Sequence, residues 1–175
     1  MLDAIELATA GRIAEAIERA PDRLRNTRKR VKTWTDSQML RTLDRGLPGG
    51  PGNHRVYDLN EAYYAALYNE ACKILEPVAM QRMAKKLRHS IDTDPDMAKA
   101  WANAKVPSGT SPAVFLAFIH DNSFWDQQNP EHLSFAPPVM LTDRETAQSL
   151  MGDSPIIHSI LNLTAFFAKT VRFAD

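Results

Sequence analysis

Cysteine is almost missing: Cys72 is the single one. No disulfide can form within the chain, and this usage fits a reducing compartment. Net charge is missing too. Twenty-one Lys and Arg balance 21 Asp and Glu, which argues against a protein that coats polyanions in bulk. A local basic patch is still allowed. No apolar run approaches the roughly 18 residues that a spanning helix requires, and Asp3 and Glu6 stand where an export signal would carry positive charge. A cytoplasmic protein with no membrane partner is therefore expected.

Catalytic signatures are also lacking. There is no Gly-x-Ser-x-Gly, no phosphate-binding Gly-Lys-Ser/Thr loop and no dinucleotide fingerprint. His54, His89, His120, His132 and His158 show no ligand spacing, and no Cys-x-x-Cys exists. The expectation is a protein that is not an enzyme, with no metal and no cofactor. Cys72 falls at helical spacing after Tyr64 and Tyr68 and reads as a small packing residue.

What is present is enough to fold. The 175 residues are 44% apolar, sufficient for one domain or for a small module joined to a second. The charge is unevenly placed. Residues 1–60 hold 11 Lys/Arg and 8 Asp/Glu, and residues 61–175 hold 10 and 13. The asymmetry peaks from Arg23 to Lys32, where Arg23, Arg25, Arg28, Lys29, Arg30 and Lys32 meet no acid. Such a window is either a solvated helix face or a patch facing phosphates.

Helical spacing of Ile5, Leu7, Ala10, Ile13, Ala16 and Ile17 predicts a helix over 2–20, with Gly11 as a weak point. Pro21 opens a second helix, which runs through the basic window to about Val31. Thr35 or Asp36 caps a third, with Met39, Leu40 and Leu43 apolar and Gly46 at its end. Five of the seven residues from Leu47 to Asn53 are Gly or Pro, so the chain turns there. His54–Tyr57 reads as extended, with Arg55 and Tyr57 on one face and Val56 toward the core. Asp58 caps the next helix, whose buried stripe is Leu59, Tyr63, Ala66, Leu67, Ala71, Ile74 and Leu75.

Pro77 breaks that helix, and a basic segment follows to His89. Asp92–Asp96 is a polar break and the expected domain boundary, giving units 1–92 and 93–175. A helix follows over 96–104. Strands are expected at 113–119, at Phe124-Trp125, at 138–141 and over 156–163. Thr142 and Glu145 have capping-box spacing for a helix to about Met151. A last helix over 164–173 buries Phe166, Phe167 and Val171. The fold class is α+β, mainly α.

The most specific stretch runs from Trp34 to Ala62. It holds Leu40-Arg41, the ending Asp44-Arg45-Gly46-Leu47, the Gly/Pro-rich turn, and Gly52-Asn53-His54-Arg55-Val56-Tyr57 before a new amphipathic helix. This order resembles the winged-helix module of MerR-type regulators and their excisionase-like relatives, over residues 10–75. The resemblance implies an N-terminal winged helix-turn-helix followed by a small α+β domain. It implies double-stranded DNA as partner, with Arg41, Arg45, His54, Arg55 and Tyr57 as contacts beside the basic window.

Two alignments remain open at this point. The recognition helix is either 36–45, with Leu40-Arg41, or 22–31, with Leu24-Arg25. The resemblance also implies a nucleoid-associated transcription regulator acting as a homodimer. Residues 93–175 would pair the copies, or respond to a small-molecule or protein effector. Pro77 interrupts the helix that usually serves pairing. The alternatives are a phage- or mobile-element-type DNA-handling protein (an excisionase or packaging adaptor) and a winged-helix interaction module that binds no DNA.

Overall fold

The computed structural model describes residues 7–43, 55–73, 75–106, 109, 111–119, 139–141, 145 and 157–173. It is mainly helical with two small antiparallel sheets. The chain falls into two compact units, Met1–Pro77 with Thr170–Asp175, and Val78–Lys169. The division lies at Pro77, whereas the 92–96 break is only a helix junction within the second unit.

The first unit begins with strand β1 (Leu7–Thr9) and helix α1 (Ala10–Ile17). The helix expected over 2–20 is therefore shorter. Thr9 is extended and its Oγ1 accepts the Arg12 N–H at 3.3 Å, which starts the helix there. At the other end Glu18 Oε1 accepts the Arg19 and Ala20 amides and closes the turn. Ile13, Ala14, Ala16 and Ile17 form the buried stripe. Residues 2–6 of the expected helix lie outside the described residues.

Helix α2 spans Pro21–Asp36, with proline in its first turn. Thr27, Val31 and Trp34 are buried at i, i+4 and i+7. Thr35 and Asp36 are its last residues, so they cap no third helix. The helix ends in a Schellman turn. Gln38 sits at φ 59, the Gln38 N–H donates to the Thr35 carbonyl, and the Met39 N–H donates to that of Trp34. Met39 and Leu40 are buried at 2% exposure each. The expected helix at 36–46 is absent over its described part, 37–43. That segment is tied down instead. The Leu40 amide returns to the Trp34 carbonyl, the Arg41 amide donates to Glu61 Oε2 at 3.0 Å, and the Leu43 amide donates to the Val56 carbonyl at 2.8 Å.

Strand β2 (Val56–Asp58) pairs antiparallel with β1, placing Ala8 opposite Tyr57. Both are buried. The inward face of β2 is therefore that of Tyr57, and Val56 is half-exposed, the reverse of the expectation. Asp58 does not cap helix α3 (Glu61–Ala71). Its Oδ1 accepts from the backbone and side-chain nitrogens of Asn60, and Asn60 is the capping residue.

α3 is buried along most of its length, including Ala62, Ala65, Leu67 and Tyr68. The Tyr68 ring meets that of Trp34 edge-on at 6.0 Å. Burying a side chain such as Leu67 contributes roughly 1.5–3 kcal/mol. Tyr63 and Leu75 are half-exposed, and Ile74 lies outside the described residues. Cys72 is half-buried and donates through Sγ to the Asn69 carbonyl.

The second unit carries helix α4 (Pro77–Thr93), opened by Pro77, and helix α5 (Pro95–Ala104). Asp94 caps α5, accepting from the Asp96 and Met97 amides. Strands β3 (Phe115–Ile119), β4 (Val139–Leu141) and β5 (Ile157–Asn162) form a sheet of order β4-β3-β5. Helix α6 (Leu163–Thr170) follows, and the Trp101 and Phe167 rings meet edge-on at 5.2 Å. Phe166 is half-exposed rather than buried, and Val171 is buried just after the helix. The strand expected at Phe124-Trp125 and all of the 142–151 helix but Glu145 lie outside the described residues. Among the described residues no helix is long and apolar enough to cross a membrane.

Candidate nucleic-acid interface

One helix carries the whole basic window. Arg23, Arg25, Arg28, Lys29, Arg30 and Lys32 all lie on α2 and all are exposed. Helical geometry sorts them, because residues four apart share a row. With Thr27, Val31 and Trp34 inward, Arg25 and Lys29 fall on the outer face. Arg28, Lys32 and Asp36 form a second row beside it. Arg23 and Arg30 fall on the opposite flank. The Arg30 guanidinium is turned toward α3, where Nη1 donates to Asn69 Oδ1 at 3.0 Å.

The row Arg28–Lys32–Asp36 leads to Arg55. Arg55 Nη2 lies 2.6 Å from Asp36 Oδ1, and Nη1 comes within 3.5 Å of the Lys32 carbonyl. The hydrogen bond to Asp36 raises the Arg55 pKa, against the opposing effect of desolvation. Arg55 therefore remains a fixed cation. Arg28, Lys32 and Arg55 border a groove of about 320 Å³, with Thr9, Ala10 and Asp36. Among its described lining residues, three cations face one acid.

Tyr57 belongs to this groove only as its floor. The side chain is fully buried. Its hydroxyl lies 2.9 Å from Thr35 Oγ1, and Thr35 itself donates to the Val31 carbonyl at 2.8 Å. Tyr57 is thus the donor in the pair, and it locks β2 to the end of α2. The expected DNA contact at Tyr57 is a packing contact instead. Arg41 is exposed, but it follows α2 in an irregular segment and sits on no recognition helix. Arg45 and His54 lie outside the described residues.

Two cations escaped the sequence reading. Arg12 and Arg172 border a second depression, of about 700 Å³, together with Glu15 and Arg28. It shares Thr9 and Arg28 with the first groove. The Thr9 cap sets where Arg12 emerges from α1, which is a local signal. Nothing near Arg172 in the sequence marks it, since its neighbours in space lie some 140 or more positions away. Among the described residues no group of three or more His, Cys, Asp or Glu is placed to hold a metal ion.

No family model matches the chain, and no curated protein and no solved structure matches it significantly.

Proposed function

We propose that the first unit is a winged helix-turn-helix of MerR-like type that binds double-stranded DNA, with α2 as the recognition helix. The observation that carries this reading is the exposed face of α2. Arg25, Arg28, Lys29 and Lys32 project from one side, and Arg55 is held beside them by Asp36. A helix presenting arginines is the element that reads base edges in a major groove. A cation at the start of a strand, beside the helix, suits a backbone phosphate. Because 37–43 is not helical, the Leu24-Arg25 alignment is the one that this reading adopts. This reading takes the paired strands β1 and β2 as the base of a wing, and residues 44–54 between α2 and β2 lie outside the described residues.

The proposed role is sequence-specific transcription control. One small module gives limited affinity and specificity, so two copies are proposed to act together. The second unit would pair them or respond to an effector. The test is enrichment of duplexes from a random-sequence library by the full chain, followed by competition with unrelated DNA. An enriched site that resists competition supports a regulator. Equal competition reduces the reading to sequence-independent DNA handling. No retained duplex overturns it in favour of a protein-interaction module.

A further inference from the structure

The segment after α6 belongs to the first unit and is fixed there by Arg172 and Phe173. Val171 is buried, the Arg172 N–H donates to the Ala16 carbonyl at 3.0 Å, and the Phe173 ring meets that of Tyr63 edge-on at 5.8 Å. These anchors use the backbone of Arg172 and leave its guanidinium exposed. The side chain borders the 700 Å³ depression, across which stand Arg12 and Arg28.

Among its described lining residues, three guanidiniums share this depression with one carboxylate, Glu15. Among the described residues no ion pair holds Arg28 or Arg172. Arg28 and Arg172 are like charges at one depression, and a phosphate offers the guanidinium fork two acceptor oxygens at once. Thr9 and Arg28 belong to this depression and to the groove beside Arg55. The cations therefore form one continuous track on the first unit, from Arg55 past Lys32 and Arg28 to Arg12 and Arg172.

We propose that Arg172, with Arg12 and Arg28, holds a backbone phosphate of duplex DNA, so that the segment after α6 is part of the DNA-binding surface. This inference rests on the DNA-binding reading above and adds to it a contact made by a residue remote from the helix-turn-helix in sequence.

The test uses the full chain and a fluorescein-labelled mixed-sequence duplex, with anisotropy followed across a salt series. Arg172→Gln keeps the backbone N–H that seats the segment, and an unchanged thermal midpoint checks this. The expected result is a several-fold loss of affinity and a salt slope shallower by about one unit. Arg172→Lys keeps the charge and should keep the slope. A wild-type slope in Arg172→Gln overturns the phosphate contact while leaving the DNA-binding reading intact. Loss of slope in Arg172→Lys as well overturns it too, because seating rather than charge would then be at work. A wild-type chain that binds no duplex overturns both readings together.

Discussion

Arg55 and Asp36 meet at 2.6 Å, joining the start of β2 to the last turn of α2. Their side chains are 46% and 62% exposed, so the pair contributes only about 0.2–1 kcal/mol. Asp36 also sits at the negative end of its helix, where an acid is unfavourable. Its effect is to aim the guanidinium and to cancel one positive charge in the groove. Asp36→Asn should therefore change stability by no more than about 0.5 kcal/mol and tighten duplex binding several-fold. Arg55→Ala should weaken binding with the fold intact. Titration of both variants at one salt concentration checks this, and identical affinities in all three proteins would remove Arg55 from the DNA face.

Gln38 occupies a left-handed position, φ 59, in the turn that ends α2. A side chain there costs energy that glycine does not incur. Gln38→Gly should raise stability by about 0.5–1 kcal/mol, after allowing for the looser unfolded chain. Urea unfolding followed by far-ultraviolet circular dichroism measures this. A lower midpoint would show that the turn is not held as described.

That same turn marks where the sequence could be read and where it could not. Pro21 and the Asp94–Pro95 pair announce helix starts by local chemistry, and helices begin at both prolines, whereas Pro77, read only as a break, also opens a helix. Met39, Leu40 and Leu43 have helical spacing, yet a Schellman turn with Gln in place of Gly sends the chain elsewhere. No residue type announces it. Leu7 fits a helical stripe equally well, and it becomes a strand only because Asp58 lies opposite, far along the chain. The alternation at 55–57 was legible as a period but not in sign, since burial of Tyr57 depends on Thr35 waiting for its hydroxyl. The basic window and Arg55 were readable as exposed charge, but the flank each cation takes and the pairing of Arg55 with Asp36 were not. Arg172 was not, because only the fold carries it to α1.

Tyr63 is half-buried and its ring packs on Phe173. Burial raises its pKa above the ordinary value of 10.0. The neutral phenol is thus favoured more in the folded chain than in the unfolded one. The stability this gives is complete below the unfolded pKa and is lost as pH rises through the folded one. Thermal midpoints should fall above about pH 10. In Tyr63→Phe, which keeps the ring contact and cannot ionise, the fall should be flatter. Parallel slopes for the two proteins would show that Tyr63 ionisation does not bear on the seat of Phe173.

The two flanks of α2 make opposite predictions. Arg25 and Lys29 lie on the outer face, whereas Arg30 is turned to Asn69 and Arg23 shares its side. If α2 enters the major groove by the outer face, the double variant Arg25→Gln, Lys29→Gln should lose duplex affinity by tenfold or more. Its salt slope should fall by up to about two units. Arg23→Gln, Arg30→Gln removes the same charge from the chain and should cost much less. The comparison cancels net charge, so any difference reports orientation. Equal losses would mean that the helix acts only as a cationic rod, and α2 could then not be the element that reads sequence.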